Sequence, residues 1–232
     1  MNYAIDKNRM IALNGGPATA QPACQFLPPT MPGYQPYCPY TLDPGPGGGW
    51  TATDLARAQQ LVRTSGTRGD TVTVPSFQGG PPGLATARYV ASVLDQLGYR
   101  ASVRSFSASA FTYDSRARIQ LTYMDWTEDY PAPWDTIGPL FTCGSFDSPG
   151  NVNAAEFCDP RIDTQVQQAL TLQAQGLAPA ALSWAAIDHE LVDQAPYVPV
   201  SNPRYLTVLS TRVGNYQFHP YWSLLIDQLW VR

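Results

Sequence analysis

A cluster of acidic and aromatic residues carries the strongest chemical signal in the sequence. The stretch at 123–133 reads YMDWTEDYPAP and contains three acids, Asp125, Glu128 and Asp129, with the aromatic residues Trp126 and Tyr130 beside them. Two carboxylates about 5–10 Å apart are the apparatus of glycoside hydrolysis. A carboxylate beside a tryptophan instead suits the binding of a cationic ligand, with the indole giving apolar contact. A solvated acidic loop is the third possibility, and the residues alone leave all three open.

The cysteines form the second signal. There are four of them: Cys24, Cys38, Cys143 and Cys158. Four cysteines allow three connectivities, and the local pairing Cys24–Cys38 and Cys143–Cys158 closes two loops of about fifteen residues. Each bridge would contribute about 3 kcal/mol on the chain-entropy model. Free buried thiols are an alternative, while a zinc site is disfavoured because there is no C-x-x-C and only two histidines. Disulfides would place the chain outside the cytoplasm, although no signal peptide stands at its start.

Composition excludes several classes of protein. The chain has 232 residues, 14 basic against 18 acidic side chains, a net charge of −4 and only 14% charged residues. Such a chain is a poor electrostatic partner for nucleic acid or anionic lipid. It has no apolar run of about 18 residues, so no transmembrane segment is expected.

The elements that must position the acidic cluster follow from hydrophobic periodicity. Strand patterns at 70–75 and 100–106 enclose a helical pattern at 83–97, which predicts a βαβ unit with a parallel pair. A third strand is predicted at 118–124, directly before the acidic cluster. The carboxyl ends of strands in an α/β sheet border the ligand crevice, so this placement favours a site there. Further elements are predicted as helices at 53–65, 160–175 and 179–193, and as short strands at 197–200, 205–209 and 224–231.

The two ends of the chain indicate that it is part of a larger protein. Residues 1–13 are loosely helical but have no N-cap signal, as if the chain began inside a helix. Residues 194–232 are aromatic and apolar and have no helix of their own to cover them. This tail is therefore expected to belong to a different packing unit from residues 1–193.

Several blocks of sequence, taken in order, resemble a known family. The matching blocks are NYAIDKNRMI at 2–11, LPP…GYQPY at 27–37, TATDLARAQQLVRTSG at 51–66, DWTEDYPAP at 125–133, NVNAAEFCDPRID at 151–163, WAAIDHELVDQAPYVPV at 184–200 and VGNYQFHP at 213–220. Their order and spacing resemble the C-terminal part of the extracellular solute-binding proteins of the peptide/nickel/oligopeptide class (family 5), which serve ABC importers.

The resemblance implies a fold and a division into domains. Such proteins have two α/β lobes that close over a ligand in the periplasmic-binding-protein manner. It implies that residues 1–193 are the second lobe, truncated at its start, and that residues 194–232 are C-terminal strands returning to the first lobe. Most of the first lobe, and any signal sequence, would then lie outside this chain, which alone would bind ligand weakly.

The resemblance also implies site residues. The aspartate of the W-x-x-D-Y motif pairs with the peptide ammonium in peptide-binding members, which points to Asp129, with Trp126 lining the cleft and Tyr130 adjacent. Asp125 and Glu128 flank the motif, and at least one of them is expected to face solvent. The chain departs from the pattern at 132–134 (Ala-Pro-Trp), where many members carry a second acid, and this leaves the ligand class open among peptides, sugars and metal chelates.

The implied function is non-enzymatic capture of a small solute or oligopeptide for an ABC importer permease, outside the cytoplasm and without cofactor or metal. One alternative is a secreted carbohydrate-active hydrolase that uses Glu128 and Asp129. It is disfavoured because side chains of adjacent residues usually diverge. The other alternative is the sensor lobe of a regulatory fusion protein.

Overall fold

The computed structural model describes residues 1–45, 47–78, 80, 82–107, 120–146, 152–219 and 222–232. Its helices are α1 Lys7–Leu13, α2 Leu55–Ser65, α3 Leu84–Leu97, α4 Trp134–Phe141, α5 Cys143–Phe146, α6 Pro160–Gln173 and α7 Leu177–Gln194. Its strands are β1 Ala20–Pro22, β2 Thr71–Gln78, β3 Arg100–Ser107, β4 Ser201–Pro203, β5 Val213–Gly214, β6 Phe218–His219, β7 Ser223–Leu224 and β8 Trp230–Val231.

The predicted βαβ unit is present. Strands β2 and β3 pair in parallel with Thr71 opposite Arg100, and α3 crosses between them. Helices α2 and α3 end where Gly66 and Gly98 adopt the left-handed conformation, with φ of 76° and 99°. A residue without Cβ takes this conformation at no steric cost, so the two glycines fix the helix ends.

Two hydrophobic clusters build the molecule. The first lies between α1, α2, α3 and the β2–β3 pair and includes the fully buried Val74 and Ala87. The second joins α4, α6 and α7 to the loop that contains Leu27, with Trp184 at its centre. Strand β1 pairs antiparallel with β4, while β5 pairs with β8 and β6 with β7 in short ladders near the C-terminus.

The ends of the helices differ from the sequence expectation. Asp6 caps α1 by accepting a bond from the Arg9 amide at 3.0 Å, so this helix begins within the chain with a cap of its own. Asp54 caps α2 by accepting a bond from the Arg57 amide at 2.8 Å. Both caps follow the ordinary preference for a short acceptor side chain.

Several predicted strands are wrong. Residues 120–124, the described part of the predicted strand 118–124, are not in a strand. The Gln120 side chain accepts a bond from the Thr73 amide at 3.2 Å, so this segment meets β2 through a side chain and not through a backbone ladder. The predicted strand 197–200 is displaced to β4, and 205–209 is irregular. The predicted strand 224–231 is broken by a 3₁₀ turn at Ile226–Gln228.

Candidate functional site

A cleft of about 1970 Å³ lies between the two hydrophobic clusters. The segments 120–128 and 195–203 cross from one cluster to the other and line it, together with residues 152–156. In the first segment, Leu121 and Tyr123 pack on the first cluster, whereas Met124 and Trp126 pack on the second. The cleft therefore exists because two separately packed cores are joined by extended chain.

The structure divides the predicted site residues between two faces of one loop. Trp126 lines the cleft, and its indole Nε1 is buried with no hydrogen-bond partner in the described part of the chain. Asp129 and Tyr130 are exposed and do not line the cleft. Glu128 does line it and is half-buried. Of the three acids of the loop, Asp125 and Glu128 line the cleft and Asp129 does not.

The two flanking acids differ in exposure. Asp125 is exposed, which confirms that at least one flanking acid faces solvent. Burial raises the pKa of Glu128, and the nearby Asp135 carboxylate raises it further. Because Glu128 borders the cleft and Asp129 is exposed outside it, the carboxylate pair of the hydrolase alternative does not face a common space there.

Asp135 is a site residue that sequence reasoning missed. It lies in the first turn of α4, is buried, and accepts a bond from the Asp129 amide at 2.7 Å. Burial raises the pKa of Asp135, and its bonds from the amides of Asp129 and Tyr130 oppose that shift. An acid in the first turn of a helix is stabilised by the helix dipole, so the position of Asp135 could have indicated a role at a helix start. That indication was missed because α4 itself was not predicted. Asp135 fixes the backbone that presents Asp129.

Both predicted disulfides are present, Cys24–Cys38 and Cys143–Cys158. The second one closes the loop whose residues 152–156 line the cleft. The Cys143 amide also donates to the Asp163 carboxylate at 3.2 Å, which ties this end of the loop to α6. The bridge therefore braces one wall of the cleft.

The first disulfide loop is held to α7 by a buried carboxylate. Asp188 is fully buried and accepts bonds from Gln25 Nε2 at 2.7 Å and from the Phe26 amide at 3.0 Å. Desolvation raises the pKa of Asp188 to about 6, against the opposing effect of these bonds. No pattern in the sequence indicates this anchor, because the partners are more than 160 residues apart.

The described ranges hold neither a metal-type cluster nor a spanning helix. They contain no group of three or more His, Cys, Asp or Glu side chains arranged for a metal ion. No helix within them is both long and apolar enough to cross a membrane.

Comparison with known proteins gives a family and a fold. The family described as bacterial extracellular solute-binding proteins, family 5 Middle, matches residues 1–148. A curated relative, "Di/tripeptide-binding protein 4" of Pseudomonas aeruginosa (strain UCBPP-PA14), is 24% identical over 219 residues, which is 92% of this chain and 38% of the relative.

Solved structures agree with the predicted fold. The clavulanic acid biosynthesis oligopeptide binding protein 2 superposes with a TM-score of 0.81 at 21% identity, over 99% of this chain and 42% of its own. The dipeptide binding protein of Pseudoalteromonas sp. SM9913, solved with Met-Leu, superposes with a TM-score of 0.74 at 19% identity, over 100% of this chain and 44% of its own. These likenesses confirm the solute-binding-protein fold. The chain spans roughly two fifths of the length of these proteins.

Proposed function

Since the chain belongs to the family 5 bacterial extracellular solute-binding proteins, we propose that it forms part of the substrate-binding component of an ABC importer that captures a small peptide. The observation that carries this proposal is the loop at 125–131, which presents Trp126 to a large cleft and the exposed carboxylate of Asp129 beside it. The names of the relatives, which are di/tripeptide-, oligopeptide- and dipeptide-binding proteins, support a peptide as the ligand.

In this proposal Asp129 pairs with the peptide ammonium. A carboxylate and an ammonium form a charge-assisted hydrogen bond about twice as strong as a neutral one. The Asp129 backbone is held by the buried Asp135, so the carboxylate is presented on a fixed loop. Trp126 supplies apolar contact inside the cleft, and Tyr130, which is exposed, lies next to the ammonium site.

We further propose that residues 1–193 form the second lobe and that residues 194–232 return to the first. The exposed apolar surface of the tail supports this division: Val208 is 96% exposed and Trp222 is 74% exposed. Large apolar side chains at such exposure ordinarily mark a surface that another protein part covers. The β1–β4 pairing attaches the beginning of the tail to the second lobe.

Capture then works by closure of two lobes over the ligand. A ligand that touches both lobes stabilises the closed state by its additional contacts there, and only that difference shifts the equilibrium. In this proposal the closed form binds the importer permease, and capture takes place outside the cytoplasm. Catalysis has no part in this function, in keeping with relatives that are binding proteins.

Native mass spectrometry of the complete protein in which this chain occurs tests the proposal. We expect a co-purified adduct with the mass of a short peptide in the wild type, its loss in Asp129→Asn, and its retention in the control Asp70→Asn, which changes an exposed acid away from the cleft. Retention of the adduct in Asp129→Asn would refute the role of Asp129. Failure of the complete protein to bind any di- or tripeptide would refute the function.

A further inference from the structure

One carboxylate that lines the cleft has no counter-ion in the described part of the chain. Glu128 is half-buried and lines the cleft, and no lysine or arginine in the described ranges forms an ion pair with it. The one lysine of the chain, Lys7, is buried elsewhere and donates to the Ala23 carbonyl. Burial raises the pKa of Glu128, the neighbouring Asp135 raises it further, and hydrogen bonding that involves the Thr136 side chain lowers it.

Unpartnered polar atoms lie along the same cleft. Four residues that line it each have a buried side-chain polar atom with no hydrogen-bond partner in the described part of the chain: Thr122 Oγ1, Tyr123 OH, Trp126 Nε1 and Thr136 Oγ1. Buried polar atoms are almost always paired, and each exception asks for an explanation. A polar ligand in the cleft would pair several of them at once.

Thr136 links these atoms to Glu128. Its side chain is buried, with 3% of the residue exposed, and it borders the cleft one residue after Asp135. The Thr136 hydroxyl interacts with the Glu128 carboxylate and favours its charged form, although the hydroxyl has no partner at full hydrogen-bonding geometry in the described part of the chain. Thr136 and Glu128 are therefore neighbours at the edge of the cleft.

We propose that Glu128, with Thr136 Oγ1 and Trp126 Nε1, forms a second recognition point inside the cleft, which binds the cationic side chain of a peptide containing lysine or arginine. This inference rests on the proposed function, in which the adjacent Asp129 binds the peptide ammonium. Glu128 accepts from the ligand cation, the Thr136 hydroxyl accepts or donates beside it, and the indole N–H donates to a peptide carbonyl. The site thus selects among peptides for those that carry a basic side chain.

A matched pair of dipeptides tests the selectivity. Ala-Lys and Ala-norleucine differ in the side-chain ammonium, and calorimetric titration of the complete protein compares them. We expect the wild type to bind Ala-Lys about 10- to 100-fold more tightly, as befits one charge-assisted bond to a partly desolvated carboxylate. In Glu128→Gln the two dipeptides should bind with about equal affinity, while the affinity for Ala-norleucine stays unchanged. Asp129→Asn should weaken both dipeptides alike.

A second variant separates binding from folding. Thr136→Val replaces an unpaired buried hydroxyl with a methyl group of the same shape, which does not lower stability in the absence of ligand. We expect it to weaken Ala-Lys binding without lowering the thermal midpoint of the unliganded protein. A lowered midpoint would assign Thr136 to the fold and overturn its part in the site.

Two outcomes are decisive against the proposal. Equal wild-type affinity for the two dipeptides, or an equal loss of both in Glu128→Gln, would overturn the second recognition point and leave the proposed function standing. Binding of neither dipeptide by the wild type would overturn both.

Discussion

Replacement of the buried Asp188 should loosen the first disulfide loop from α7. The carboxylate accepts from Gln25 Nε2 on one oxygen and from the amides of Phe26 and Leu27 on the other. Gln25 cannot turn its amide round freely, because its Oε1 accepts from the Tyr37 amide at 2.7 Å. In Asp188→Asn the new side-chain amide group would therefore face the Gln25 amide group, donor against donor.

The cost follows from these bonds. A buried donor left without an acceptor costs about 1–3 kcal/mol. Asp188→Asn keeps an acceptor for Phe26 and Leu27 but leaves Gln25 facing a donor, so we expect a loss of about 2 kcal/mol in the free energy of unfolding. Asp188→Ala removes every acceptor and should lower the free energy of unfolding by about 3–5 kcal/mol. Part of this loss is offset because the variant no longer buries a charge.

The double variant Gln25→Glu/Asp188→Asn provides the sharp test. The carboxylate now stands at position 25, where it accepts from the Tyr37 amide and from the new side-chain amide at position 188. The carbonyl oxygen of that new side chain serves the loop amides. We expect most of the loss to be recovered, with a coupling energy of about 1–3 kcal/mol in urea unfolding at about pH 7. Asp70→Asn, an exposed acid away from this loop, is the control and should change stability by less than about 0.5 kcal/mol.

The pH dependence adds an independent measurement. Because burial raises the pKa of Asp188 from 3.8 to about 6, the folded protein holds this proton more tightly than the unfolded chain. The stabilisation from Asp188 is then full below about pH 4 and is lost as the pH rises through about 6. Asp188→Asn should abolish this component. A double variant whose loss equals the sum of the single losses, or an unchanged pH profile in Asp188→Asn, would refute the anchor.

Two further predictions concern the buried lysine and the first disulfide. Burial lowers the pKa of Lys7 from 10.5 to about 8, so its contribution to stability is full above the unfolded value and is lost as the pH falls through about 8. Lys7→Met should therefore raise the free energy of urea unfolding by about 1 kcal/mol at about pH 7. It should also flatten the dependence of that free energy on pH between these two pKa values. A decrease in the free energy of unfolding of more than about 1 kcal/mol would contradict this. Replacement of Cys24 and Cys38 by serine opens a loop of sequence separation 14 and should cost about 3 kcal/mol in thermal unfolding. Four alkylatable thiols in the non-reduced, denatured protein would show that the bridges are absent.

The periodicity of apolar residues predicted the long helices and the parallel pair of strands. Helices α2, α3, α6 and α7 and the parallel pair β2–β3 lie where the apolar spacing predicted them, within a few residues at their ends. Helix α4 was missed because it contains Gly138 and Pro139, both poor helix formers, directly after a proline-rich turn. The strand at 118–124 failed for the opposite reason. Its residues alternate like a strand, but its described part lies against β2 without a backbone ladder.

The sequence also located the candidate site without assigning its faces. The W-x-x-D-Y motif identified the loop and its aromatic and acidic residues. It could not indicate that Glu128 borders the cleft while Asp129 is exposed, since the turn of the backbone around two neighbouring acids depends on Asp135 and α4. The lobe boundary at 193 and the roles of Trp126, Asp129 and Tyr130 stay predictions.

By itself the sequence determined what depends on short separations: the periods of the longer helices, the parallel pair β2–β3, and two cysteine pairs 14 and 15 residues apart. Ordered motifs along the chain also sufficed to identify the family. Tertiary structure alone decided which carboxylates are buried, which of the neighbouring Glu128 and Asp129 borders the cleft, and how Gln25 meets Asp188 across 163 residues. The physical reason is that burial and hydrogen-bond partnership arise from contacts between distant segments, and no local period records which segments will meet.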